Sequence, residues 1–351
     1  MDLEFWREKK VYITGHTGFK GSWLSLLLNR LGAEVYGYAL SPPTNPNLFE
    51  QAEVAKEISS TIADVRNLDN LKKSLTDIQP EIVLHLAAQS LVRESYTDPV
   101  TTFETNIMGT VNILEAVRHS QSVKALIVVT SDKCYKNKEQ DNGYVETDEL
   151  GGHDPYSNSK ACAELVIDSY QSSFFSSLKN INIASVRAGN VIGGGDWAVD
   201  RLIPDLIRSF ISHQQTKIRN PGAIRPWQHV LDPLFGYLLL AEKLASTPAF
   251  SCAWNFGPNI SDAKPVSWIA DELTLRWGND AHWTVDNNEH LEETHTLHLD
   301  SSKARNTLGW SPRLHIDQAL EWTLEWYKAY SRNESMRSFT ESQINHYLTI
   351  E

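Results

Sequence analysis

Short apolar runs alternate, along the first half of the chain, with stretches in which apolar residues recur every three or four positions. Lys10–Gly15 (KVYITG) reads as a buried strand, and Trp23, Leu24, Leu27, Leu28 and Leu31 behind it share one helical face. Further strands are predicted at Glu34–Leu40, near Ile58–Ala63, and at Ile82–Leu86, Val123–Thr130 and Ile181–Val186. Helices are predicted over Pro99–His119 and Ala161–Tyr170. Apolar strands separated by helices build a parallel sheet with crossover helices on both faces. The fold class is α/β, a doubly wound parallel sheet.

Past Arg187 the pattern loosens. Asn190–Trp197 is glycine-rich, Leu202–Ile211 and Pro233–Leu244 read as helices, and Gln228–Leu231 and Cys252–Phe256 as short strands. A last helix is predicted at Ile316–Tyr330, followed by a polar tail to Glu351. With 351 residues and about 150 per domain, two units are expected. Residues 1–187 form a dinucleotide-binding domain to which later segments return, and residues 188–351 are mainly a smaller substrate-binding lobe.

Composition narrows the function. The net charge of −12 disfavours nucleic acid, whose phosphates attract Lys and Arg. No apolar run approaches the ~18 residues that span a bilayer, and the charged start MDLEFWREKK lacks a signal peptide's apolar core. Three cysteines, Cys134, Cys162 and Cys252, make neither a disulfide framework nor a zinc cage. A cytoplasmic protein with no membrane partner is expected. His295 and His298 are three apart without a Cys or carboxylate pattern, so no metal is expected.

The first strand runs into Thr14-Gly15-His16-Thr17-Gly18-Phe19-Lys20-Gly21 and then a helix. In this strand–turn–helix, Gly15 permits the tight turn, Gly18 lets a pyrophosphate approach, and Gly21 allows close helix–strand packing. This is a Rossmann-type dinucleotide cradle. The acid that usually ends the second strand and binds the adenosine ribose is missing from Ala39-Leu40-Ser41-Pro42-Pro43, and so is an Arg for a 2′-phosphate. Cofactor identity stays open at this loop. Asp64, after the third strand, is either an adenine contact or a cap of the helix starting near Asn67.

Tyr156 and Lys160, four apart behind Pro155, share a helical face. An ammonium beside a phenol favours the phenolate, a base near neutral pH. The apolar strand ending Val128-Val129 exits into Thr130-Ser131-Asp132-Lys133. Ligands of open α/β sheets bind beyond such strand ends, so Ser131, Asp132 and Lys133 are candidates for chemistry.

TGHTGFKG, HLAAQ (His85–Gln89), TNIMGTVNILEA (Thr105–Ala116), YSNSK and RAGNVIGGGDW (Arg187–Trp197) together resemble the extended short-chain dehydrogenase/reductase superfamily. The likeness runs to Ala304–Trp310. SDKCY, YALSPPTNPNLFE and IRPWQHVLDPL resemble the CDP-glucose branch of its sugar-nucleotide dehydratases. Asp132-Lys133 stands where other branches carry Asp-Glu or Thr-Glu.

The resemblance implies NAD along Gly15, Thr17, Gly18, Phe19, Lys20, Gly21, Asp64, Val65, Leu86, Ala87, Ala88, Tyr156 and Lys160. It implies CDP-D-glucose as substrate, held by Gln89, Asn106, Ser131, Asn190, Arg201, Arg225 and Arg305. The product is CDP-4-dehydro-6-deoxy-D-glucose, a precursor of 3,6-dideoxyhexoses in surface polysaccharide. The resemblance further implies that Tyr156, aided by Lys160, takes the 4-hydroxyl proton as hydride leaves C4 for NAD, that Ser131 holds the 4-oxygen, that Lys133 takes H5 and that Asp132 protonates the leaving hydroxyl. Pairing of two copies through the helices near Asn106–His119 and from Tyr156 is also implied. Two alternatives stand beside this: a 4-epimerase of the same superfamily, which needs no Asp132 or Lys133, and a non-catalytic NAD-binding protein.

Overall fold

The computed structural model describes residues 2–140, 142–176, 181–278, 281–288 and 297–350. Seven strands form the central sheet: β1 (Lys10–Thr14), β2 (Glu34–Ala39), β3 (Ser59–Ile62), β4 (Ile82–His85), β5 (Ala125–Val129), β6 (Asn182–Arg187) and β7 (Ala253–Asn255). Their order is β7-β6-β5-β4-β1-β2-β3, with every neighbouring pair parallel. The chain runs outward from β1 through β2 to β3, then crosses back to β4 on the other side of β1. That reversal opens a crevice at the carboxyl ends of β1 and β4, where doubly wound sheets take their ligands.

Strand alternation sends side chains to two cores. Val11 and Ile13, with Ala125, Ile127 and Val129, face a layer that includes helices Phe19–Arg30, Leu231–Ser246 and Ile316–Ser331. Tyr12, Leu126 and Val128 face helices Leu68–Ile78, Gly109–Arg118 and Pro155–Tyr170. A strand buried on both faces has no polar side, which is why these segments read as unbroken apolar runs.

Two expected elements differ. Pro99–His119 is not one regular helix: α-helix Pro99–Phe103 passes through a π-helical turn, Glu104–Met108, before Gly109–Arg118. The turn carries buried Asn106, whose Nδ2 donates to the Gln89 carbonyl at 2.9 Å and to Ser159 Oγ at 2.8 Å. Wide turns of this kind collect at functional sites. The polar tail is also ordered, as helix Met336–Thr349. It packs Met336, Ile344 and Tyr347 into the main core, and adds polar contacts, with Trp326 Nε1 donating to Thr340 Oγ1 and Gln343 Nε2 to the Trp322 carbonyl. A partner helix rich in aromatics supplies the packing that the tail's weak periodicity does not announce.

The later chain adds small paired strands that wall the crevice, Thr216–Ile218 with Trp283–Val285 and Ile224–Pro226 with Ala263–Pro265. No described helix is long and apolar enough to cross a membrane.

Candidate active site

A single cavity of about 1310 Å³ runs from the glycine turn to the small strands of the later chain. One drug-sized ligand occupies about 300–1,000 Å³, so there is room for a dinucleotide and a second ligand. Gly15, Thr17, Gly18, Phe19, Lys20, Gly21, Asp64, Val65, Leu86, Ala87 and Ala88 all line it.

The three glycines of the turn have different reasons to be glycine. Gly15 has φ +80°, and a Cβ there would meet Ala87 N at 2.7 Å. A Cβ on Gly21 would overlap the Gly15 carbonyl. On Gly18 it would meet only Gly15 O, at an ordinary 3.5 Å. The protein's own packing leaves Gly18 free to carry a side chain, so its bareness suits a phosphate set against the backbone. The cradle fits a dinucleotide.

At the far end of the cradle, β2 ends at Ala39, and Thr17 Oγ1 donates to the Leu40 carbonyl at 2.8 Å. Asp64 is not the helix cap: Asn67 Oδ1 fills that place, accepting from Asn70 N at 3.0 Å. Both Asp64 oxygens are held by Arg66, through its backbone N–H and its guanidinium at 2.7–2.9 Å, which keeps the carboxyl below its usual range.

The catalytic candidates meet beyond β5. Ser131 caps a single 3-10 turn, Asp132–Cys134, accepting from Lys133 N at 3.2 Å and donating to Asp132 Oδ1 at 2.9 Å. Asp132 is buried, and its Oδ2 has no partner among the described residues. Helix Pro155–Tyr170 starts on Asp154, which accepts from Ser157 N at 2.9 Å, with Pro155 in the first turn. Its first residues bring Tyr156 into the same cavity as Ser131, close enough for Ser131 to act on the phenol.

The spacing of Tyr156 and Lys160 predicts a phenol lowered by the ammonium. In the protein alone, burial dominates and pushes Tyr156 up to about 12, opposed by the Ser131 hydrogen bond and the Arg201 charge. Lys160 is pushed down to about 8 by burial, with Glu164 opposing, and Lys160 Nζ donates to the Val129 carbonyl at 3.3 Å. Lys20, from the cradle, joins the same basin. Burial and the neighbouring cations Arg201 and Lys160 lower it to about 8, while Asp132 and Asp196 act the other way.

Ser131, Asp132, Lys133, Tyr156, Lys160, Asn190, Arg201 and Arg225 all line the cavity. Arg201 pairs with Asp196 at 2.8 Å and donates to Ser90 Oγ at 3.1 Å. Three expected substrate residues lie elsewhere. Gln89 and Asn106 bond each other, Gln89 N to Asn106 Oδ1 at 2.9 Å, and are not among the lining residues. They tie the loop after β4 to the Tyr156 helix. Arg305 lies over the Trp310 ring, 6.0 Å from its centre. His295 lies outside the described residues, and among those described no three His, Cys, Asp or Glu gather as metal ligands.

Sequence reasoning missed the support behind the turn. Glu164 is buried one helical turn past Lys160, on the same face. It accepts from Ser185 Oγ at 2.7 Å, from Arg187 at 2.8 and 2.9 Å, and from Thr130 Oγ1. Arg187 donates onward to Tyr135 Oη at 2.7 Å. The available signal was the spacing of Tyr156, Lys160 and Glu164 in steps of four. Lys217 and Arg219 also line the cavity, and no motif marked them.

A family model described as GDP-mannose 4,6 dehydratase matches residues 12–323. The chain belongs to this family. A CDP-glucose 4,6-dehydratase of Salmonella typhimurium is 51% identical over 354 residues, covering 99% of each chain. A probable dTDP-glucose 4,6-dehydratase of Sinorhizobium fredii is 24% identical, over 91% of this chain and 92% of the relative. Among solved structures, a UDP-glucose 4-epimerase of Thermotoga maritima superposes with TM-score 0.79 at 20% identity, over 92% of this chain and 99% of the other. A dTDP-glucose 4,6-dehydratase of Bacillus anthracis in complex with NAD gives 0.76 at 19%, over 93% and 98%. These agree with the doubly wound fold read from the sequence.

Proposed function

We infer that this chain converts CDP-D-glucose to CDP-4-dehydro-6-deoxy-D-glucose and water, with NAD as its cofactor. Its chemistry rests on one observation: the Ser131–Lys133 turn meets Tyr156 and Lys160 in the cavity that begins at the glycine cradle. The choice of CDP-glucose rests on the 51% full-length identity, against 24% for the dTDP-glucose relative.

Gly15, Gly18 and Gly21 would hold NAD, which would supply a hydride acceptor for C4, a donor for C6, and a positive charge that favours the phenolate. Tyr156 takes the 4-hydroxyl proton while Ser131 steadies the oxygen, and Lys160 orients the Tyr156 end of the site. Lys133 removes H5, made acidic by the 4-ketone, and a proton is returned to C5 when C6 is reduced. Asp132 donates a proton to the departing 6-hydroxyl. Arg201 and Arg225, which enter the cavity from the later chain, offer cations to the diphosphate, and Asn190 donates to the nucleotide sugar. Residues 1–187 act mainly on the cofactor and 188–351 mainly on the nucleotide sugar.

A 4-epimerase has no use for an acid and a base next to Ser131, and Asp132 and Lys133 are both in the cavity. Mass analysis after incubation with CDP-, dTDP-, UDP- and GDP-glucose decides the reading. CDP-glucose should lose one water and the others should persist. An isomer of unchanged mass would replace this reading with epimerisation.

Two copies are proposed to pair through helices Gly109–Arg118 and Pro155–Tyr170. On or beside these helices, Met108 is 50% and Leu165 58% exposed, apolar area that a second copy would cover. Light scattering on Leu165→Asp, beside the unchanged chain, tests this by dissociation.

A further inference from the structure

The adenosine end of the cradle differs from the phosphate end in having nothing charged at the tip of β2. In a dinucleotide fold the residue there faces the 2′ position of the adenosine ribose, and a carboxylate both binds the free hydroxyl and repels a 2′-phosphate. Here the tip is Ala39-Leu40-Ser41, followed by Pro43 and Thr44, all lining the cavity. Leu40 is 56% exposed, and Ser41 and Pro43 are exposed beside it.

Two acids of the neighbouring segments are engaged. Asp64 is held by Arg66 at 2.7 Å. Glu50 accepts from Asn47 Nδ2 at 2.8 Å. Arg66 is equally occupied, bridging Asp64 and Glu104, the latter at 3.2 Å. Thus, among the described residues, the acid that lines this end of the cavity, Asp64, is paired, and so is the neighbouring cation. The rim is open, so a 2′-phosphate would keep its water and incur little desolvation.

We propose that this cradle does not discriminate at the adenosine 2′ position, so that the chain binds NADP and NAD with similar affinity. The proposal rests on the cradle reading above and on nothing about the sugar substrate. The overall dehydration is redox-neutral, so either dinucleotide would be regenerated within each turnover.

Titration of the full chain, stripped of nucleotide, with NAD⁺ and with NADP⁺ tests this without any turnover. The two dissociation constants should agree within about tenfold, no charged group being aimed at the 2′ position, and each nucleotide should displace the other. Ser41→Asp should weaken NADP⁺ at least about tenfold more than NAD⁺, by like-charge repulsion against the phosphate's charge of about −1.5 to −2. A preference above tenfold for either nucleotide in the unchanged chain overturns the proposal and leaves the dehydratase reading intact. Failure to bind either at millimolar concentration overturns the cradle reading too.

Discussion

Gly189 lies flat against the carboxylate of Asp132: a side-chain carbon built on Gly189 would overlap Asp132 Oδ2. Gln228 pins this glycine, its Nε2 donating to the Gly189 carbonyl at 3.2 Å and to the Phe256 carbonyl at 2.8 Å. The Asp132 carboxylate is therefore positioned by backbone on one side and by the Ser131 hydroxyl on the other. Glycine is needed here for closeness of approach and not for an unusual backbone angle.

Gly189→Ala should displace Asp132 toward the cavity. A shift of about 1 Å in a reacting group costs about 10²-fold in rate, and overpacking costs about 1–3 kcal/mol in stability. Turnover of CDP-glucose should fall by that order while the protein remains folded by circular dichroism. Unchanged turnover would mean that the carboxylate is not held by this contact.

The buried pair Glu164–Arg187, at 2.8 Å with both side chains 4% exposed, ties the end of β5 to the Tyr156 helix and to β6. Removing one partner strands a buried charge, typically at about 3–5 kcal/mol. Glu164→Gln should lower stability by that order in urea. Adding Arg187→Met should recover much of it, because the stranded charge is gone. Equal instability of the single and double variants would assign the loss to the hydrogen bonds and not to the charge.

Three buried histidines make the fold sensitive to acid. Burial pushes His16 down to about 4, and His85 and His229 down to about 3, below the unfolded value of about 6.5. A depressed folded pKa means that the unfolded chain binds the proton first. The stabilisation is therefore full above about pH 6.5 and declines as pH falls toward the folded values. At pH 5 each costs up to about 2 kcal/mol. The urea midpoint should fall steeply between pH 7 and 5, and His229→Gln should flatten that slope. A midpoint level across this range would show that these side chains stay neutral in both states.

The architecture was readable because strands buried on both faces leave no polar alternation to blur them. Lys10–Gly15, Ile82–Leu86 and Val123–Thr130 all coincide with strands within a residue or two. The candidate site was readable because its residues cluster where strands end, at Gly15–Gly21 after β1 and Ser131–Lys133 after β5, and both clusters line one cavity. What stayed hidden depends on partners distant in sequence. Gln89 and Asn106 read as substrate residues, but outside the cavity lining the Gln89 side chain donates to the Leu91 carbonyl and Thr102 Oγ1, and the Asn106 side chain to the Gln89 carbonyl and Ser159 Oγ. The Met336–Thr349 helix reads as a tail because it buries Thr340 and Gln343 beside Ile344 and Tyr347, a mixed face without clean periodicity. The lowered phenol expected from Lys160 is likewise a two-body inference, and burial, a many-body effect, outweighs it.

Lys133 gives the sharpest test of the order of events. Its backbone N–H is fixed by Ser131 Oγ at 3.2 Å, and its half-buried side chain lines the cavity beside Asp132. If it removes H5, Lys133→Met should still bind CDP-glucose and NAD⁺ and still allow oxidation at C4, because Tyr156 acts before the ketone exists. Elimination should then stall. In a single turnover the absorbance of the reduced cofactor should rise and persist, and exchange of H5 with solvent deuterium should disappear. Tyr156→Phe should do the opposite, losing the first oxidation and showing no reduced cofactor at all. A general base contributes about 10²- to 10⁴-fold, so steady-state turnover of Lys133→Met should fall within that range. Near-normal turnover with H5 exchange intact would remove the lysine from the mechanism and leave Asp132 or water as the base.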